Sequence, residues 1–210
     1  MKPNLLILLL LTGAINVIAQ SQAETYIKEA QDFFAKKDYK QAQMSLQDAI
    51  NDINNILAQQ VAESLPDEIN GLKSTGEGEV NTAAMGIMGG GMSITKNYQH
   101  PSKPENEAEV QIIANSPMMS AMSMYLNNPG MMGQGAKSCR VGTTRAVLKT
   151  EMQDYYGDNG ANKQIRSTEL QIPLTQTLVT INLKGFAGEA EELAFAGKID
   201  VGKLRMALGE

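Results

Sequence analysis

From Tyr26 to Val61 apolar residues recur every three or four positions, and from Met92 onward they tend to recur every second position. The first period belongs to a helix with one buried face, the second to a strand with one buried face. Residues 22–64 therefore read as two helices. Tyr26, Ile27, Ala30, Phe33 and Phe34 line the first, and Lys36-Lys37-Asp38 ends it with positive charge where the helix dipole favours cations. Ala42, Leu46, Ala49, Ile50, Ile53, Leu57 and Val61 form the stripe of the second, with Asp38 as its N-cap. So short a turn lays the helices antiparallel, and their stripes are expected to bury each other. Leu65-Pro66-Asp67 stops the second helix, because proline lacks the donor and clashes with the preceding turn.

Residues 65–78, polar and interrupted by Gly71, Gly76 and Gly78, read as a linker. Residues 92–95 lead into Tyr98 as a strand, and 107–114 alternate with Val110, Ile112 and Ala114 on one face. His100 to Pro104 is the expected hairpin loop between them. Ser116-Pro117 opens a helix lined by Met118, Met119, Met122 and Leu126, which stops at Asn127-Asn128-Pro129-Gly130. Residues 139–152 hold a strand pair or a bent strand around Gly142, and 163–174 and 178–183 are further strands. Pro173 cannot donate to a ladder, so an edge or bulge is expected there. Asp154 to Asn162 forms a polar turn, and two helices follow at 189–196 and 201–208, the second capped by Asp200. The fold class is α+β: an N-terminal antiparallel α-hairpin over 20–64, a linker over 65–78, and a mainly antiparallel sheet with helices packed on it over 79–210.

The first nineteen residues change the picture from fold to place. Lys2, the apolar run 5–11, and Val17 and Ala19 before Gln20 have the order of a secretory signal peptide. The run is shorter than the roughly 20 residues a bilayer needs, and no cysteine stands at the cut to take a lipid. An exported protein without a stable membrane anchor is expected, periplasmic in preference to fully secreted. Hydrophobic content of 42% and charged content of 20% are globular values. The net charge of −5, and −6 once Lys2 is removed, would repel a phosphate backbone, so nucleic acid is not an expected partner. Cys139 is alone, so no disulfide forms within the chain, and its strand-like surroundings read as burial.

Ala30, Phe33, Ala42, Leu46 and Ala49, with Asp38-Tyr39 at the turn, resemble a single tetratricopeptide repeat, although Asn54 stands where that pattern favours proline. One repeat cannot cover its own apolar face. Residues 65–208 resemble a family of uncharacterised exported bacterial proteins. The shared features are Leu65-Pro66, Gly89-Gly90-Gly91 before a strand ending in Tyr98, Ala114-Asn115-Ser116-Pro117, Leu126-Asn127-Asn128-Pro129 and Val141-Gly142-Thr143-Thr144-Arg145-Ala146. The order of elements is similar to the PsbP-like fold. These motifs are structural punctuation and carry no activity with them.

Candidate chemistry is thin. Nine of the thirteen methionines lie between Met85 and Met132, a density that raises Cu(I) binding by thioethers, but Met118, Met119 and Met122 share a stripe with Leu126 as a packed helix face would. Gly86-x-x-Gly89-Gly90-Gly91 lacks the Lys-Ser/Thr ending of a phosphate-binding loop and precedes a strand. His100 and Cys139 are the sole histidine and cysteine, so a thiol hydrolase would need those two to meet. Glu189, Glu191 and Glu192 read as a solvated helix face, and Asp154 to Gly160 misses the calcium-loop register. No catalytic, cofactor or metal residue is therefore named. The expectation is a non-catalytic exported binding or accessory protein of the bacterial envelope, with a hydrolase of unlocated site or a Met-rich Cu(I) binder as alternatives. Its contact surface is expected on the hairpin, through Tyr26, Phe33, Phe34, Tyr39 and Leu46, toward an envelope protein or a second copy of the chain.

Overall fold

The structure is a computed structural model that describes residues 21–76, 79–81 (backbone only), 91–114, 130, 133, 135–157 and 162–210. The export segment, the helix expected from Ser116, the methionines other than Met44, Met92, Met152 and Met206, and the turn residues 158–161 lie outside the described residues. The chain divides into two compact units between Ala49 and Ile50, within one continuous helix.

The first unit contains α1 (Gln22–Ala35) and the start of α2 (Tyr39–Ser64). Lys37 takes a left-handed φ of 62°, and Asp38 Oδ1 accepts a hydrogen bond from the Gln41 amide at 3.2 Å. That is the N-cap read from the sequence. The packing differs from the expectation. Ala23 and Ala30 of α1 and Ala42, Ser45 and Ala49 of α2 are the buried residues, while the large members of the stripe stay outside. Steps of 100° per residue put positions 42, 45 and 49 within one arc of about 60°, and Leu46 falls outside its edge, toward solvent. Small side chains at the contact favour a close approach of the two helices.

Among the described residues of the second unit, nine strands form one antiparallel sheet. They are β1 (Glu68–Ile69), β2 (Leu72–Ser74), β3 (Glu79–Asn81), β4 (Met92–His100), β5 (Lys103–Ala114), β6 (Ala136–Val141), β7 (Thr144–Tyr156), β8 (Asn162–Pro173) and β9 (Leu178–Lys184). Their order is β1-β2-β4-β5-β9-β8-β7-β6, with β3 pairing β4. Residues 65–78, expected as a linker, thus contribute β1 and β2 to the sheet. The turn between them is Asn70-Gly71 with φ of 51° and 86°, and Ile69 pairs Leu72. Two positive φ values suit the twist of a two-residue hairpin. In the Gly142-Thr143 turn between β6 and β7, where Val141 pairs Thr144, the positive φ of 59° falls on Gly142 alone, at the first turn position. Pro173 stands as its missing donor requires: β8 is an interior strand, but the proline sits on its last rung, where the ladder to β7 has already ended at Gln171 and that side of the strand is a local edge.

One face of this sheet is the core. Val110, Ile181, Leu170 and Leu148 are consecutive cross-strand partners, and Ile112, Val179 and Ile172 form the next row. Ala58, Val61 and Leu65 from the end of α2, Phe195 and Ala196 from α3 (Glu189–Ala196), and Leu204 from α4 (Val201–Leu208) belong to the same buried cluster. Tyr98 and Phe195 meet edge to face at 5.6 Å.

Three polar side chains, Lys96, Tyr98 and Glu192, hold this cover in place. Lys96 lies among the core residues and donates from Nζ to the Leu65 carbonyl at 2.9 Å and to Asp67 Oδ1 at 2.8 Å. A cation just beyond the C-terminus of α2 also complements its dipole. The hydrogen bond and charge of Lys96 hold the Asp67 carboxyl below its ordinary value. Tyr98 donates to the Pro66 carbonyl at 2.8 Å, and burial, then the Asp67 charge, pushes its phenol well up. On α3, Glu192 was expected on a solvated face but has 0% of its surface exposed. It accepts from Arg166 Nε at 2.7 Å and Nη2 at 3.1 Å and from Thr168 Oγ1 at 2.6 Å. A wholly buried carboxylate persists because these donors replace its water.

Candidate functional site

Among the described residues, two surfaces stand out: one face of the hairpin and the open face of the sheet.

On the hairpin, Ile27 and Phe34 are seven residues apart on α1, and Tyr39 and Leu46 are seven apart on α2. Seven residues are nearly two helical turns, so each pair lies on one line. The rings of Phe34 and Tyr39 meet at 5.4 Å, edge to face, which puts both lines on the same side of the hairpin. All four side chains are open to solvent: Ile27 40%, Phe34 65%, Tyr39 59% and Leu46 50% exposed. Each forgoes part of the roughly 1.5–3 kcal/mol that full burial of a large apolar side chain provides. Of the five residues named from the sequence, the structure puts Phe34 and Tyr39 in contact and leaves Leu46 exposed on the same line of α2 as Tyr39. Tyr26 and Phe33 are half-buried and lie off that line, with Lys36 Nζ 5.9 Å from the centre of the Phe33 ring. Ile27 was missed as a contact residue, although its heptad spacing to Phe34 was readable.

The open sheet face is polar because strand residues alternate between faces. A groove of about 570 Å³ runs across it, lined by Asn97, Glu107, Glu109, Lys149, Glu169 and Lys184 among others. Asn97, Glu109, Asn182, Glu169 and Lys149 are successive partners across β4, β5, β9, β8 and β7. Each carboxylate there is matched by a donor. Lys184 Nζ donates to Glu107 at 2.7 Å, Asn182 to Glu109 at 2.9 Å, Gln153 to Glu151 at 3.0 Å, and Gln171 to Glu169. The face is a ladder of satisfied polar pairs. No nucleophile with an adjacent histidine base occurs on it among the described residues.

The thiol pairing weighed from the sequence does not form. His100 ends β4 and Cys139 lies on β6, five strand steps away, or roughly 24 Å at the usual strand spacing. Cys139 is half-buried beside the core, and burial, then the charge of Glu189, pushes its thiol up, away from the reactive thiolate. The His100 ring instead accepts from the Ser102 amide at 3.2 Å within its own turn. Among the described residues, no group of three or more His, Cys, Asp or Glu could hold a metal ion, and no helix is long and apolar enough to cross a membrane. The clusters at Met85 to Met88 and Met118 to Met132 lie outside the described residues, while Met92 is a core residue. Comparison with protein-family models, with curated proteins and with solved structures finds no match.

Proposed function

We propose that this chain is an exported, non-catalytic binding or accessory protein of the bacterial envelope, which contacts a protein through its helical hairpin. The observation that supports this most is the exposed line of Ile27, Phe34, Tyr39 and Leu46 on one side of two helices. Monomeric exported chains gain nothing from leaving such side chains in water, and clustered apolar exposure marks interaction sites. The likeness of the hairpin to a tetratricopeptide repeat and of the remainder to a PsbP-like domain agrees with a binding role and is part of the same reading. Export is the role of the leader before Gln20, and the mature N-terminus at Gln20 should appear in the periplasmic fraction.

The test is cross-linking in intact cells. A photo-reactive residue at Phe34 should yield protein adducts, and Leu46→Glu should remove them without shifting the melting temperature. Adducts that persist unchanged in the Leu46→Glu background would rule the surface out.

A further inference from the structure

We propose that the turn between β8 and β9 is a carboxylate-binding nest for which Glu210 is the built-in ligand, and that the end of α4 is a latch whose release opens this nest to a carboxylate from outside the fold. The inference stands apart from the hairpin surface.

A short turn assembles the receptor. β8 ends at Pro173 and β9 begins at Leu178, and the Leu174 amide bonds the Thr177 carbonyl at 2.8 Å to close the loop between them. Three donors of that loop converge on one group. The Thr175 amide donates to Glu210 Oε2 at 2.7 Å, the Gln176 amide to Oε1 at 3.1 Å, and the Thr177 hydroxyl to Oε1 at 2.5 Å. Successive amides aimed at one point make a concavity for anions, and bonds to an ionised acceptor are the strong class. Thr177 is wholly buried, so the third donor is anchored in the fold. Among the described residues no lysine or arginine donates to this group, so the nest matches the single charge of a carboxylate better than the heavier charge of a phosphate.

The ligand is delivered by the end of α4. Gly209 takes a left-handed φ of 73°, its amide bonds the Met206 carbonyl at 3.4 Å, and the Glu210 amide bonds the Arg205 carbonyl at 2.9 Å. This paired closure of a helix turns the chain back and sets Glu210, half-buried, over the nest. Leu204 is the fully buried residue of α4, and eight residues do not hold a helix in water by themselves. Glu210 therefore fastens the end of α4 that Leu204 does not reach. The tether keeps the internal carboxylate at a high effective concentration, so a closed nest excludes free carboxylates and an open one admits them.

The test follows backbone amides of the purified protein by nuclear magnetic resonance, with sodium acetate as the probe and sodium chloride as the control of equal ionic strength. In Glu210→Ala, the Thr175 and Gln176 amides should shift saturably with acetate by about 0.1 M and exchange more slowly in its presence. The wild type should show neither effect. Gly209→Ala strains the left-handed cap while a Cβ there meets nothing within 4 Å, so an intermediate response is expected. In the wild type, one opening should free both ends of the contact, giving the Gln176 and Glu210 amides matching protection. No saturable acetate response in Glu210→Ala, beyond that to chloride, would overturn the nest. Acetate binding in the wild type equal to that in Glu210→Ala, or a Gln176 amide that exchanges independently of Glu210, would overturn the latch.

Discussion

Gly185 shows how much one residue decides. It follows β9 with a φ of 70°, and a Cβ there would lie 2.3 Å from the Glu105 carbonyl oxygen and 2.8 Å from its carbon. The obstacle is backbone and cannot swing aside, so Gly185→Ala should lower stability by about 1–3 kcal/mol or more in urea unfolding. The chain beyond the end of β9 passes so close to β5 that only glycine fits. Arg166 and Glu192 make the complementary case for side chains. The hydrogen bonds and charge of Glu192 raise the Arg166 pKa, and the carboxylate has no exposed surface. Arg166→Met should leave a buried, half-satisfied carboxylate and cost about 3–5 kcal/mol, with Glu192→Gln costing less because it keeps hydrogen-bonding atoms in place. Equal losses in the two variants, measured by urea midpoints, would contradict that assignment of the penalty. Neither residue was distinctive in the sequence. Glu192 looked like its neighbours Glu189 and Glu191, since burial of one carboxylate in an acidic run depends on what lies across from it.

At the scale of elements, the end of α2 and the β1–β2 hairpin are joined by Lys96. Its ammonium bonds the Leu65 carbonyl and Asp67, and the Ser74 amide bonds the Asp67 carbonyl at 2.8 Å. Lys96→Met should therefore speed hydrogen exchange at Ser74 and leave β8 and β9 amides unchanged, as a local opening does. Acid should act on the wild type in the same direction. Because the folded-state Asp67 pKa is lowered, its contribution is present above the ordinary value of 3.8 and is lost as pH falls below it. Faster exchange at Ser74 is expected in that acid range, relative to the pH dependence of an unstructured amide, and Asp67→Asn should abolish the excess. The hairpin itself has a sequence signal. Ile69-Asn70-Gly71-Leu72 is a two-residue turn signal between apolar residues, masked by the glycines and short strands around it. The longer strands β5, β8 and β9 were legible from alternation alone, because a sheet with one wet face writes its burial into the sequence.

Across the whole molecule, burial is uneven. The first unit buries alanines and Ser45, whereas the sheet buries Ile94, Ile112, Leu170, Ile181, Leu183 and Phe195. Amides of α1 should exchange well before those of β9 in the Leu46→Glu variant, because small side chains contribute little apolar area to resist opening. Protection of α1 equal to that of β9 would show cooperativity that this packing does not provide. Local pattern by itself determined α1 to α4, most of the described strands, the capping aspartates 38 and 200, and the α+β class, since each depends on neighbours within a few positions. Tertiary structure alone decided which side of the hairpin faces outward, that Cys139 and His100 stand on separate strands, that Glu192 is buried, and that an interior strand ends in Pro173. Those outcomes depend on what packs across from a residue, and distance along a chain does not encode distance through space.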